Sequence, residues 1–245
     1  MQDRYTGDIG DFGKLGFLRI LQASGFSIGV NWYLVADEIH NNDGRHVQYL
    51  NDEHIFQCDE PLRNELKRIV ESGQREVSAL EHELILKACF YSAPLVVAGK
   101  TKSERVVARN EWHKEALRCF SGLDLVFVDP DNGILVPSAA ETLKENKYVK
   151  FEELADYYWQ GSTVIYYQHK ARRPDRFYTY QHRQLIENME DSNASGFGLK
   201  FCKTSQRYFF FIVHSFHREA VSDAVQKLLS SAWNEFFELL PCEDR

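Results

Sequence analysis

Apolar and polar positions along this chain follow two periods that trade places repeatedly. "KLGFLRILQAS" sets Leu15, Leu18 and Leu21 three residues apart with Phe17 beside them, which predicts a helix stopped at Gly25. "SIGVNWYLV" is continuous, β-branched and aromatic, the pattern of a buried strand. "LDLVFVDPDNG" and "STVIYYQHKAR" repeat it, each ending in polar residues. Between these strands, residues 62–88, "SERVVARNEWHKEALRCF", "FEELADYYW" and "DRFYTYQHRQLIENM" read as helices. "FYSAPLVVA" fits a strand or a helix. "FGLKFCKTS" and "RYFFFIVHS" predict an antiparallel pair turned by Ser205, Gln206 and Arg207, and "HREAVSDAVQKLLSSAWNEFFELL" predicts one long C-terminal helix. Strands that alternate with helices imply an α/β fold. The expected sheet is doubly wound and mostly parallel, with a C-terminal antiparallel hairpin at its edge. No composition shift divides the chain, so residues 1–245 read as one domain, with a helical insertion over residues 55–90.

Composition narrows the partners. A formal net charge of −7 argues against a protein that coats nucleic acid unspecifically, while leaving room for a local basic groove. No apolar run reaches membrane-spanning length, and the opening "MQDRYTGDIG" has no signal-peptide core, so the expectation is a cytoplasmic chain without a membrane partner. The cysteines (Cys58, Cys89, Cys119, Cys202, Cys242) are scattered and odd in number, which supports neither a zinc site nor a disulfide framework. Most of them read as buried free thiols. His40, His46 and His54 cluster in sequence without the spacing of a helical metal pair, so no metal site is expected from them.

Candidate chemistry collects at three strand ends. The first carries Asp37, Glu38, His40, Asn41, Asn42, Asp43 and Gly44. The second carries Asp129, Asp131 and Asn132, and the third Gln168, His169 and Lys170. Asn, Asp and Gly populate turns for backbone reasons alone. In an open α/β sheet, however, ligands bind outside the carboxyl ends of the strands, and neighbouring parallel strands would bring these loops together. "GDIGDFGK" lacks both the spacing of a phosphate-binding P-loop and a preceding strand; its glycines still permit close approach to a helix N-terminus.

The order of these loops resembles the methyltransferases that modify adenine N6 in large-subunit (23S) ribosomal RNA, which are S-adenosylmethionine-dependent class I enzymes with a Rossmann-like fold. The family opens with AGN-x-AD-x-x-K before a helix; "GDIGDFGK" stands there, with Lys14 at the lysine. Its first strand ends in an acidic residue and a glycine-rich loop, matched by "WYLVADEIHNNDG" with Asp37 at the acid. "FYSAPL", around Ser92 and Pro94, resembles its YPGSP segment. "VFVDPDNG" stands where the family has DPPY, and "VIYYQHKAR" resembles its next strand. The likeness spans most of the chain in order. It implies a Rossmann-like fold and an S-adenosylmethionine site at Lys14, Asp37, Glu38, Asn41, Asn42, Asp43, Gly44 and Ser92. It also implies an acceptor loop at Asp129, Pro130, Asp131 and Asn132 that faces an amino group of RNA or DNA. Two departures stand out. Asn132 replaces the aromatic residue that stacks on a flipped base, leaving Phe12, Tyr166 or Tyr167 as candidate platforms. "NNDG" also has one glycine where the family has more.

Lys170, Arg172, Arg173 and Arg176 form a basic strip suited to substrate phosphates. Two other readings compete. A magnesium-dependent nuclease of PD-(D/E)xK type would pair Pro130-Asp131 with Gln168 to Lys170, with Asp8, Asp11, Asp37 or Asp43 replacing the missing carboxylate. A non-catalytic binding module would use the altered motifs and exposed aromatics such as Trp159.

Overall fold

The computed structural model describes residues 1–38, 44–204 and 206–241. Asp8 starts the first helix, α1 (Ile9–Ala23), by accepting hydrogen bonds from the backbone N–H groups of Gly10 and Asp11. The chain then enters β1 (Ile28–Asn31), all of it buried. α2 (Glu53–Ser72) breaks at Asp59, two residues before Pro61. The Asp59 side chain restarts it by accepting from Leu62 N, because proline cannot continue the backbone ladder. After β2 (Cys89–Tyr91), a Thr101–Glu104 capping box opens α3 (Lys102–Cys119). β3 (Leu125–Val128) follows, then the two-residue strands β4 (Gly133–Ile134) and β5 (Tyr148–Val149), which pair with each other. α4 (Phe151–Trp159), β6 (Thr163–His169) and α5 (Asp175–Asn188) lead into β7 (Ser195–Phe201) and β8 (Arg207–Val213). α6 (Arg218–Leu229) and β9 (Phe237–Pro241) close the chain.

The main sheet has seven strands in the order β2-β1-β3-β6-β8-β7-β9. β2, β1, β3 and β6 run parallel; β8, β7 and β9 join antiparallel, so five of the seven strands point one way. The parallel strands are continuous apolar runs because both faces are covered. α1, α2 and α6 pack on one face, where Leu15, Leu18, Leu66 and Leu228 meet Phe127, Ile165 and Phe209. α3, α4 and α5 pack on the other, where Trp112, Tyr157 and Leu185 meet Val126, Val128 and Phe210. The result is a three-layer α/β fold, as the alternating pattern predicts. No helix among the described residues is long and apolar enough to cross a membrane.

Four expectations need correction. The expected C-terminal helix ends at Leu229, where Ser231 caps a short 3-10 turn instead; Trp233 plugs the core and the chain turns into β9. An unpaired β7 edge would expose a row of backbone donors and acceptors, and β9 covers it. The predicted hairpin therefore lies inside the sheet rather than at its edge. Within residues 55–90 only α2 is a long helix; a 3-10 turn at Val77–Leu80 and irregular chain complete the crossover to β2. The described cysteines are half-buried or exposed rather than buried, and Cys89 and Cys119 stand thiol to thiol at 3.0 Å. Cys242 and His40 lie outside the described residues.

Candidate functional site

The strand order reverses between β1 and β3: from β1 the chain crosses to β2 on one side, and β3 then starts the run to β6 on the other. Ligands in open α/β sheets bind at such a switch point, outside the carboxyl ends of the strands. Asp129 N donates to Asn31 O at 2.9 Å, so the ends of β1 and β3 are locked side by side there.

A cavity of about 370 Å³, within the usual range for small-ligand sites, opens at this edge. Its residues arrive by simple geometry. α1 precedes β1 and runs against it, which brings Asp8, Asp11 and Lys14 to the carboxyl edge. Alternation along β3 continues the α1-facing side of Leu125 and Phe127 to Asp129. Alternation along β6 puts Tyr167 and His169 on that same side as Ile165. β8 runs antiparallel, so its first residue, Arg207, lies opposite His169. Asp129, Tyr167, His169 and Arg207 all line the cavity beside the three α1 residues.

At its floor Lys14 lies between two carboxylates. Its ammonium donates to Asp129 Oδ2 at 2.6 Å and meets Asp11 Oδ1 at 2.9 Å, and all three side chains are buried. Asp11 Oδ2 also accepts from Gly7 N at 2.8 Å. Burial alone would lower the lysine's pKa, but Asp11 and Asp129 outweigh it and hold the ammonium above the ordinary lysine range. Burial dominates for both acids, pushing Asp129 and Asp11 above the usual carboxylate range despite the pull of Lys14. A carboxyl raised in this way takes up a proton more readily than a solvated one. Burial lifts the Tyr167 hydroxyl to about 12. Arg207, held charged against burial chiefly by Asp8, hydrogen-bonds Tyr167.

Asp131 is clamped. Its two oxygens meet the Met1 α-amino group at 2.8 Å and Gln2 Nε2 at 2.6 Å. That amine, Gln2 and Lys147 together outweigh burial and hold the carboxyl below its usual range. Met1 N donates further to the carbonyls of Tyr33 and Asp129, both at 3.1 Å. Asn132 works through its backbone, its N–H donating to Lys147 O and its carbonyl accepting from Gln168 Nε2, each at 3.0 Å. Gln168 Oε1 in turn accepts from Ile134 N.

Of the residues expected from sequence, Lys14, Glu38, Gly44, Asp129, Pro130, Asp131 and Asn132 line the cavity. Asp37 is exposed and accepts from Arg4 N. Ser92 hydrogen-bonds Glu81 and is not among the lining residues. Asn41, Asn42 and Asp43 lie outside the described residues. Lys170 turns away to donate to Asp175 Oδ1 at 2.5 Å, so the nuclease pattern is not assembled around Asp131. Arg172 and Arg173 are exposed beyond the end of β6.

Arg207 and Lys147 were not legible as site residues, since only strand register and a long-range loop contact bring them in. Asp11, named from sequence only as a candidate carboxylate of the nuclease reading, also carried the signal of its i,i+3 spacing from Lys14 on one helix face. Comparisons with models of known protein families and with curated proteins find no match for this chain.

Gly133 gives a local test of the loop that follows β3. Its φ is +101°, and an added Cβ would overlap the Gln168 side chain that braces the loop. Gly133→Ala should lower the unfolding free energy by about 1–3 kcal/mol, a cost typical of forced backbone strain, measured by urea denaturation.

Proposed function

We propose that this chain is an S-adenosylmethionine-dependent methyltransferase-type enzyme acting on an amino group of a nucleic acid. The observation that carries the reading is the position of Asp129 and Pro130. They leave β3 at the switch point and form part of the wall of the cavity, with the Asp129 carboxylate turned toward an N–H donor, Lys14. An acceptor amine offers the same kind of donor.

The residues present fit the cofactor in two respects. The cavity volume suits one nucleoside-sized ligand. Its lining mixes the carboxylates of Asp8, Asp11 and Glu38 with the cations of Lys147 and Arg207, a match for a molecule carrying both charges. Asp8, Asp11 and Glu38 would face the positive groups, and Arg207 or Lys147 the carboxylate. The cofactor supplies an electrophilic methyl group. Asp129 orients the acceptor amine by accepting its N–H, and its raised pKa suits it to take the proton that nitrogen loses. Lys14 holds the carboxylate in place, and Pro130 adds a carbonyl with no N–H of its own.

Calorimetric titration with S-adenosylmethionine tests the reading, with Glu38→Ala and Asp129→Asn as variants. The expected result is saturable binding by the wild type, weakened by Glu38→Ala, which removes a carboxylate from the cavity wall, and largely kept by Asp129→Asn, which acts on the acceptor. No heat of binding at millimolar cofactor would refute the reading.

A further inference from the structure

The N-terminal half of α5 and the loop before it carry a second surface. Arg172, Arg173 and Arg176 are exposed and Arg183 is half-buried. Among the described residues none of these four guanidinium groups has a carboxylate within ion-pair distance. Lys170 does: it and Lys200 share Asp175, which they and the Tyr208 hydroxyl hold well below the usual carboxylate range against burial. Lys170 therefore belongs to the packing of α5 on β8, and Arg172, Arg173 and Arg176 are left to solvent.

Two large aromatic side chains share that surface. Phe177 is 38 % exposed and Tyr180 is 53 % exposed, while Tyr178, His182 and Leu185 of the same helix turn inward. Phe177 and Tyr180 are i,i+3 neighbours, so their rings lie on one side of the helix. Arg173 covers the Phe177 ring at 5.4 Å and Arg183 the Tyr180 ring at 5.3 Å. Core packing explains none of these four side chains. On a chain of net charge −7, a patch of unpaired arginines interleaved with exposed rings is a local exception to the overall field.

We infer that this face of α5 binds single-stranded nucleic acid, with bases stacked on Phe177 and Tyr180 and phosphates held by Arg172, Arg173, Arg176 and Arg183. Charge alone would attract any polyanion. The rings select a strand whose bases are free to stack, because a duplex keeps its base faces covered. The strip starts three residues after His169, which lines the cavity, so its first residues leave the same carboxyl edge of the sheet. That the strand then presents a base to Asp129 rests on the methyltransferase reading; the binding itself does not.

Fluorescence anisotropy with a labelled twelve-nucleotide single strand and no cofactor tests the inference. Its outcome is thus separate from that of the cofactor titration. Saturable binding should weaken about tenfold with Phe177→Ala and again with Tyr180→Ala, following the usual cost of losing one stacked base. The logarithm of the affinity should fall with the logarithm of salt at a slope of about −3 for four phosphate contacts on a single strand. An Arg172→Gln, Arg173→Gln, Arg176→Gln, Arg183→Gln variant should flatten that slope. Circular dichroism melting checks that each variant is folded, which these exposed or half-buried positions permit. Equal affinity for a blunt duplex of the same sequence, or for heparin, with no effect of the two ring substitutions, would reduce the patch to unspecific charge attraction and overturn the inference. So would the absence of binding at low salt.

Discussion

Lys14→Met should cost about 3–5 kcal/mol of stability, the usual penalty for removing one partner of a buried ion pair. For a chain of this size that lowers the melting temperature by about 6–20 °C. Methionine keeps the length and apolar stem of the lysine, so the loss isolates the charge. Asp11 and Asp129 would then face each other across a buried space without the ammonium that now touches both. Adding Asp129→Asn to Lys14→Met removes one of the stranded charges and should recover part of the loss. Urea denaturation of the two variants and the wild type checks this; no recovery in the double variant would mean that the lysine acts through packing. The pH dependence has a definite sign. The ammonium's pKa is raised in the folded chain, so its contribution is complete below the unfolded value of about 10.4. It is lost only as the pH rises through the folded value. Between neutral pH and about 10, the gap between wild type and Lys14→Met should stay constant.

Arg109→Leu should cost a similar amount, about 3–5 kcal/mol, at a site whose hydrogen-bond partners, Glu153, Glu145 and Tyr148, do not line the cavity. Arg109 grips Glu153 with two bonds of 2.6 and 2.8 Å, and both side chains are buried. Glu153 also accepts from the Tyr33 hydroxyl at 3.0 Å and from Lys150 N at 2.9 Å. This network ties α3 and α4 to the residue that follows β1 by two positions, where Tyr33 has a φ of +44°. Leucine in place of the arginine leaves a carboxylate buried with two neutral donors. Burial would raise the Glu153 pKa, but the hydrogen bonds and charge of Arg109 outweigh it and hold the carboxyl below its ordinary range. A depressed carboxyl contributes stability above the unfolded pKa of about 4.3 and loses it as the pH falls through the folded value. The stability difference between wild type and Glu153→Gln should therefore be full at neutral pH and shrink below about pH 4.3. A difference that grows on acidification would contradict the assignment.

Much of the fold follows from local pattern. The strands at Leu125–Val128 and Thr163–His169 are apolar runs bounded by turn residues, and α4 matches the "FEELADYYW" stretch end to end. The C-terminal segment does not follow, because its helical period is genuine while β7 presents an open edge that a strand satisfies better. Propensity yields to tertiary pairing there.

The candidate site divides in the same way. Sequence by itself determined that acid and amide residues sit at the ends of buried strands. Order along the chain determined that Asp129 follows β3 and that Lys14 lies in the helix before β1. Both are local facts, set by side-chain period and turn chemistry. Only the tertiary structure decided which of those polar residues meet. The reversal of strand order brings Lys14 onto Asp129, the antiparallel register of β8 brings in Arg207, and the packing of α5 draws Lys170 away to Asp175. The physical reason is that strand order and register are long-range choices made by burying both faces of the sheet. A side chain's partner across the sheet edge is therefore a property of the whole core and not of its neighbours in sequence.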